Sequence, residues 1–175
     1  MRKRVITLAL GLLVLALLAA NVQFVSGHDW WAWHWERTSL NHYVFGSRVA
    51  QSLAAVNDWK ACVRDLTINV VTSHSHISVF NGNYGATGWW GLASIESYDF
   101  DWWHRWCWCR ITHAHARFND YYGGTPAQVQ GVQCQEVGHT YGLDHSNTGD
   151  CMGMGYYNSI TVTGPHNASD INAKY

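Results

Sequence analysis

Residues 125–145 read TPAQVQGVQCQEVGHTYGLDH, and both ends of a helix are marked within this stretch. Thr125 is a favourable N-cap residue, Pro126 is tolerated at the first helical position, and Gln128 completes the pattern of a capping box. At the other end, Gly142 can adopt the left-handed conformation that terminates many helices. The stretch therefore predicts a helix over about residues 126–141.

Polar side chains near the end of this helix have a spacing that suits metal chemistry. Gln135 and His139 are one turn apart, so they lie on the same face of the helix. A sharp turn at Gly142 would let His145 return toward that face. Glu136 is rotated away from the ligand line but remains close enough to take a proton from a metal-bound water. The simpler alternative is an amphipathic helix whose histidines are surface groups.

The segment 134–156 resembles the extended zinc motif of the metzincins, in particular that of the matrixin-like secreted peptidases of bacteria. The motif is H-E-x-x-H-x-x-G-x-x-H followed by a Met-turn, and its matching positions here are Glu136, His139, Gly142 and His145. The resemblance implies an active-site helix under a mixed sheet, with peptide bound alongside an edge strand. It also implies that His139 and His145 bind Zn²⁺ and that Glu136 is the general base.

Gln135 departs from the motif, which has a histidine ligand at this position. Its neutral amide oxygen is a poor substitute for imidazole on Zn²⁺. Gln135 could bind the metal weakly through oxygen, or lie behind a site made of His139, His145 and water. The site could also be a relic on a protein that only binds. Asp144 is a further candidate ligand, as in metzincin-like enzymes with an aspartate third ligand.

By position, the resemblance assigns the Met-turn residue to Met152. Met154 is a rival, because Met154-Gly155-Tyr156 is similar to the Met-x-Tyr of some metzincins. In a working enzyme, we expect Tyr156 to stabilise the oxyanion.

Five cysteines follow the N-terminal segment, so one of them has no partner within the chain. The proposed site brings the segments of Cys134 and Cys151 together, and we expect a disulfide between them. Cys62 would then pair with Cys107 or Cys109.

The rest of the chain predicts an α+β domain. Apolar spacing over residues 47–61 indicates a first helix. Strands are indicated by alternation and by β-branched residues at 66–72, 77–80, 89–95 and 110–118. With the resemblance, these elements predict a zincin/metzincin-like fold that has a mixed sheet of four to five strands and two main helices.

Residues 1–27 have the features of a signal peptide. A basic start at residues 1–4 precedes an apolar run over 5–20 and the small-residue stretch 25–27. An uncleaved anchor is the alternative, although the run is short for a span of about 20 residues. We therefore expect a secreted protein whose residues 28–175 form one domain.

Composition narrows the partners of this domain. A formal net charge of −1 argues against nucleic acid as a partner. No later segment is apolar enough to cross a membrane. We expect a monomer whose substrate is a peptide or protein. The eleven tryptophans could fill a core or line a surface that grips peptide or glycan. Residues 28–36 are open to either interpretation.

Two further histidine pairs, His74 with His76 and His113 with His115, have i, i+2 spacing. On a strand, such pairs point to one face and can chelate a metal. Exposed strand histidines are the simpler explanation. Ala114, on the opposite face of the second pair's strand, suits a core.

We therefore expect a secreted zinc metalloendopeptidase that hydrolyses peptide bonds with a metal-activated water and with Glu136 as general base. The alternative belongs to another class. It is a catalytically impaired, metzincin-like secreted binding protein that uses a Trp-rich surface to hold peptide or glycan.

Overall fold

The computed structural model describes residues 33–73, 75–100, 109–154 and 159–175. The predicted signal peptide lies outside the described residues. The strands are β1 Trp33–His34, β2 Ser39–Phe45, β3 Thr67–Val71, β4 Ile77–Gly82, β5 Gly91–Phe100 and β6 Cys109–Asn119. The helices are α1 Val49–Cys62, α2 Pro126–Thr140 and α3 Pro165–Lys174, with a 3₁₀ turn at Asp120–Tyr122.

The strands form one mixed sheet in which only β5 is antiparallel to its neighbour. β2 lies between β3 and β4, and β4 pairs with β6. β1 pairs with Cys109 and Arg110 at the start of β6, on the same side of β6 as β4. β5 pairs along the opposite side of β6 and forms an edge of the described sheet.

The main core lies between one face of the sheet and the helices α1 and α2. Alternation along β6 turns Ala114 and Ala116 into this core, while His113 and His115 lie on the other face and are half-buried. Trp59 of α1 packs in the same core, together with Val137 of α2. The predicted division of β6 into a core face and an outer face is therefore confirmed.

The α+β class, the mixed sheet and both predicted helices are confirmed, but the expected counts of four to five strands and two main helices are wrong. The described residues contain six strands and three α-helices. Strand β2 was not predicted because His42 interrupts its apolar face, and this histidine is buried. Helix α3 was not predicted because it is mostly polar and buries only three residues, Asn167, Ala168 and Ile171.

Part of the Trp-rich segment belongs to the core. Trp35 is buried, and its indole N–H donates a hydrogen bond to the Thr140 carbonyl over 2.8 Å. Trp33 packs partly buried against the same cluster. Residues 28–32 of the segment lie outside the described part of the chain. Within the described ranges, no helix combines the length and the apolar character needed to cross a bilayer.

Candidate active site

Helix α2 begins as its sequence predicts and runs through the interior of the molecule. The Thr125 side chain accepts from the Gln128 backbone N–H, and the Gln128 side chain accepts from the Thr125 N–H, so the capping box is complete. Every residue from 131 to 140 is buried. The Trp59 indole N–H donates to the Cys134 carbonyl over 2.8 Å, which ties α1 to the middle of this helix. The helix is thus held rigidly before it reaches its polar residues.

The turn after α2 depends on Gly142, whose φ of 85° lies in the left-handed region. A Cβ there would lie 2.6 Å from Lys174 Nζ and 2.9 Å from the Trp33 carbonyl oxygen. The Tyr175 hydroxyl donates to the Tyr141 carbonyl over 2.9 Å. The C-terminal residues therefore pack against the turn that directs the chain toward His145.

His139 and His145 come together as the spacing predicts. Their ring centroids are 4.8 Å apart. His139 is buried, and its Nδ1 lies 2.8 Å from the Leu143 carbonyl oxygen. Because a carbonyl oxygen can only accept a hydrogen bond, Nδ1 carries the proton. Donation through Nδ1 to a backbone carbonyl is an arrangement common among metal-binding histidines. Burial lowers the pKa of His139 to about 4, and the hydrogen bond to Leu143 opposes part of that effect. The imidazole is therefore neutral near pH 7.

Gln135 lies one turn before His139 and lines the same cleft as His145. Its amide Nε2 donates to the Gly153 carbonyl over 2.9 Å. The hydrogen bond fixes the amide plane and connects the helix to the segment that follows the disulfide. An amide nitrogen has no available lone pair, so only the amide oxygen could bind a cation.

Glu136 is buried beneath the edge strand β5. Burial raises the pKa of its carboxyl group to about 8, and a hydrogen bond from the Ala93 backbone opposes part of the rise. A Cβ on Gly91 would lie 2.3 Å from Glu136 Oε1 and 2.6 Å from Val132 Cγ1. Gly91 therefore allows the close approach of β5 to the helix. The sequence analysis missed Gly91 and Ala93, although a glycine at the start of a predicted strand can mark a close backbone approach.

A cleft of about 380 Å³ opens over these side chains. One wall comes from β5 and the residues before it, and the floor comes from α2. Its lining consists of Gly88, Trp89, Trp90, Gly91, Val132, Gln135, Glu136, His145 and Met154. The arrangement combines a carboxyl group, an imidazole and an amide with an aromatic wall, which suits polar chemistry on a ligand that also has apolar parts.

Met152 lies under the helix, whereas Met154 is 70% exposed at the cleft. A Cβ on Gly138 would lie 2.3 Å from Met152 Sδ, so the missing side chain of this glycine makes room for the thioether. Cys134 and Cys151 form a disulfide across 17 residues, as predicted, and it joins this segment to α2.

The predicted disulfide at Cys62 is wrong. Cys62 is a free thiol, and its Sγ accepts a hydrogen bond from Thr163 Oγ1 over 2.9 Å. The last residue of α1 therefore faces the segment before α3, away from β6. Of its two predicted partners, Cys107 lies outside the described residues.

Of the remaining predicted site residues, Asp144 does not join this group. Asp144 is exposed, and its Oδ1 accepts from the His145 backbone N–H over 2.7 Å. Tyr156 lies outside the described residues. Across the described ranges, no three His, Cys, Asp or Glu side chains are grouped to hold a metal ion. His145 and Gln135 line the cleft, and the His139 ring lies 4.8 Å, between centroids, from that of His145.

No protein-family profile matches the chain, and a search of curated proteins finds no match. The support for a function therefore comes from the residues of the cleft.

Proposed function

We propose that this protein is a secreted zinc-dependent metalloendopeptidase of metzincin-like fold, with a peptide or protein as substrate. The observation that supports the proposal is that Gln135, Glu136 and His145 line one cleft, while the His139 ring lies next to that of His145, with ring centroids 4.8 Å apart. A buried neutral histidine held through Nδ1 suits a zinc ligand. Burial raises the pKa of the Glu136 carboxyl group, which would act as a general base once a bound cation nearby favours its ionised form.

His139 and His145 would hold the metal, with Gln135 as the third and weakest ligand. Bound Zn²⁺ would supply a Lewis acid that activates water and polarises the scissile carbonyl. Glu136 would act as the general base that takes a proton from water and passes it to the leaving amine. Its buried position next to Ala93 keeps the carboxyl group oriented toward the cleft and shielded from bulk water.

The edge strand β5 supports a peptide as the substrate. Among the described residues it pairs only with β6, so its other side can bind an extended chain through backbone hydrogen bonds. Trp89 and Trp90 line the cleft beside it and offer apolar surface to a substrate side chain. Tyr156 completes the proposal as the residue that stabilises the oxyanion.

The rival function is a secreted binding protein that retains the fold and uses the tryptophans of the cleft. Its specific support is the hydrogen bond from Gln135 to Gly153, which gives the residue a structural role without any metal. The rival predicts peptide binding with no cleavage and no zinc at the helix.

Glu136→Gln is the test of the proposed activity. Glutamine has nearly the same shape and can still accept from Ala93, so fold and zinc content should be unchanged. Cleavage of a diverse peptide pool, mapped by mass spectrometry, should fall by at least ~10²-fold because the general base is lost. Zinc should be measured in parallel, before and after chelation. A wild-type chain that contains no zinc and cleaves nothing would favour the binding protein, and equal turnover of the variant would remove Glu136 from the mechanism.

A further inference from the structure

The outer face of the sheet, opposite the core and the cleft, carries a second cluster of imidazoles. His113 and His115 of β6 point to this face, and both are half-buried. Their Nε2 atoms are 3.0 Å apart, and their rings are nearly perpendicular, at 85°. Two ring nitrogens therefore converge on one point that solvent can reach.

The other nitrogen of each ring has an acceptor beside it. His113 Nδ1 lies 3.1 Å from the Ser75 carbonyl oxygen, which requires an N–H on that nitrogen. His115 Nδ1 lies 3.2 Å from Glu96 Oε1. A histidine that donates through Nδ1 to a carbonyl or carboxylate presents the Nε2 lone pair to a metal, and this pairing is typical of metal sites.

Glu96 reaches this position through an irregularity in the β5–β6 ladder. Ile95 pairs with Ala114 and Ser97 pairs with His113, so Glu96 is an extra residue between the two pairs. Bulges of this kind redirect side chains and are frequent beside functional sites. Here the bulge brings a carboxylate to the back of a histidine ring.

Arg117 is the one group that complicates this arrangement. Its Nη2 lies 2.7 Å from His115 Nδ1 and 2.5 Å from Glu96 Oε1. While Arg117 donates to His115, the two histidines can share a proton between their Nε2 atoms. If the proton of His115 moves to Nδ1 and bonds to Glu96, both Nε2 lone pairs become free, and Arg117 keeps its ion pair with Glu96. The cluster can therefore accept a cation after a change of tautomer and a shift of the Arg117 guanidinium away from His115 Nδ1.

We propose that His113 and His115 form a binding site for a late first-row divalent metal ion, with Nε2 of each as ligands and water in the remaining positions. Imidazole ligands favour Cu²⁺ over Ni²⁺ and Zn²⁺ at such a site. Phe80 packs edge-on against His115, with ring centroids 5.2 Å apart, and so holds that ring in its orientation. This site is independent of the proposed peptidase centre, because the two lie on opposite faces of the sheet.

The proposal is tested with Cu²⁺ in a background that lacks the cleft histidines, His139→Gln with His145→Gln. This chain should still bind a Cu²⁺ ion whose electron paramagnetic resonance spectrum shows coupling to two imidazole nitrogens. Adding His113→Gln or His115→Gln should weaken that binding by at least ~10-fold, on the scale known for perturbed metal sites. His76→Gln is the matched control, because His76 lies next to the pair but its nitrogens contact Arg37 and Asn41.

A second measurement does not depend on any variant. In the full wild-type chain with ¹⁵N-labelled histidines, added Zn²⁺ should shift the Nε2 signals of His113 and His115, while His113 Nδ1 stays protonated and His115 Nδ1 becomes protonated. Unchanged signals in this titration, or equal Cu²⁺ affinity with and without His113→Gln, would show a hydrogen-bonded pair only and would overturn the proposal. Loss of peptidase activity in the cleft variants has no bearing on either result.

Discussion

At the residue scale, Gln135 is the side chain that would limit metal binding at the proposed site. It occupies the position where the resembling motif has a histidine, and its amide nitrogen is already bonded to Gly153. A neutral oxygen donor on Zn²⁺ gives a weaker site than three imidazoles. Metal affinity should therefore be limited by this one side chain, while Glu136 and the two histidines remain suited to catalysis.

Gln135→His should tighten zinc binding without harming the fold, since both residues fit a helix interior at similar cost. Hydrolysis should rise with metal occupancy if the proposed function is right. Titration against a competing chelator measures the affinity, and a fluorogenic peptide measures the activity. Gln135→Asn is the matched control, because it shortens the amide and adds no imidazole. If the histidine variant bound zinc no better than wild type, position 135 would not face the metal.

Gly138 shows how closely the helix fits against the residues beneath it. A Cβ would lie 2.3 Å from Met152 Sδ and 2.7 Å from Trp59 Cζ2. Gly138→Ala should therefore destabilise the protein by about 1–3 kcal/mol through overpacking, despite the better helix propensity of alanine. The free energy of unfolding in urea measures this effect.

The control for Gly138→Ala is the same change in a Met152→Ala background. Removing the thioether makes room, so the two substitutions should couple, and the cost of the added methyl group should be smaller there. An equal cost in both backgrounds would mean that Met152 does not pack against this glycine.

At the scale of elements, helix α2 is connected to its surroundings at three points along its length. The capping box fixes its start, the Trp59 indole bonds to its middle, and the C-terminal residues pack against the turn at its end. The disulfide from Cys134 adds a covalent connection to the segment that contains Met152. These connections hold Glu136 and His139 in the orientation that the proposed chemistry needs.

Replacing both Cys134 and Cys151 by alanine should lower the free energy of unfolding by about 3 kcal/mol, because a loop of this length is no longer constrained in the unfolded chain. Equilibrium unfolding under non-reducing conditions measures the loss. Cys62→Ala is the control. Because Cys62 is a free thiol, this variant should lose as much stability on addition of reductant as the wild-type chain does. If added reductant left the wild-type chain as stable as before, Cys134 and Cys151 would not be bonded.

At the scale of the whole molecule, a buried polar contact joins the sheet to the end of α2. His42 of β2 is fully buried, and its Nε2 lies 2.8 Å from the Tyr141 hydroxyl. Burial lowers the pKa of His42 to about 4. The folded state therefore resists protonation of this ring, whereas the unfolded chain binds a proton near the ordinary value of about 6.5.

The sign of the pH effect follows from these two values. Between pH 6.5 and 4 the unfolded state binds more protons at this site, so stability falls as the pH falls. His42 should contribute about 3 kcal/mol to stability at pH 7 that is lost by pH 4.

His42→Gln should show a flatter dependence of the free energy of unfolding on pH over that window. Glu136 and His139 titrate in both chains, so the difference between the two curves isolates His42. Parallel curves would mean that His42 is not buried in its neutral form.

Features that depend on residues close together in the chain were predictable from the amino-acid sequence. The capping box, the left-handed glycine and the i, i+4 spacing predicted α2 and the meeting of His139 with His145. Strict alternation predicted the two faces of β6, because a β-strand turns successive side chains to opposite sides. The resemblance to a known motif added the correct pairing of Cys134 with Cys151.

Only the tertiary structure decided the features that depend on residues distant in sequence. The burial of Glu136 comes from β5, which crosses the helix at Gly91, and no local pattern near residue 136 signals that contact. Strand β2 could not be predicted because His42 is a polar residue, and its burial in the core depends on the hydrogen bond with the distant Tyr141. Cys62 faces Thr163 because α1 packs next to the segment before α3. Local patterns set secondary structure and spacing, whereas burial and partner choice are properties of the packed chain as a whole.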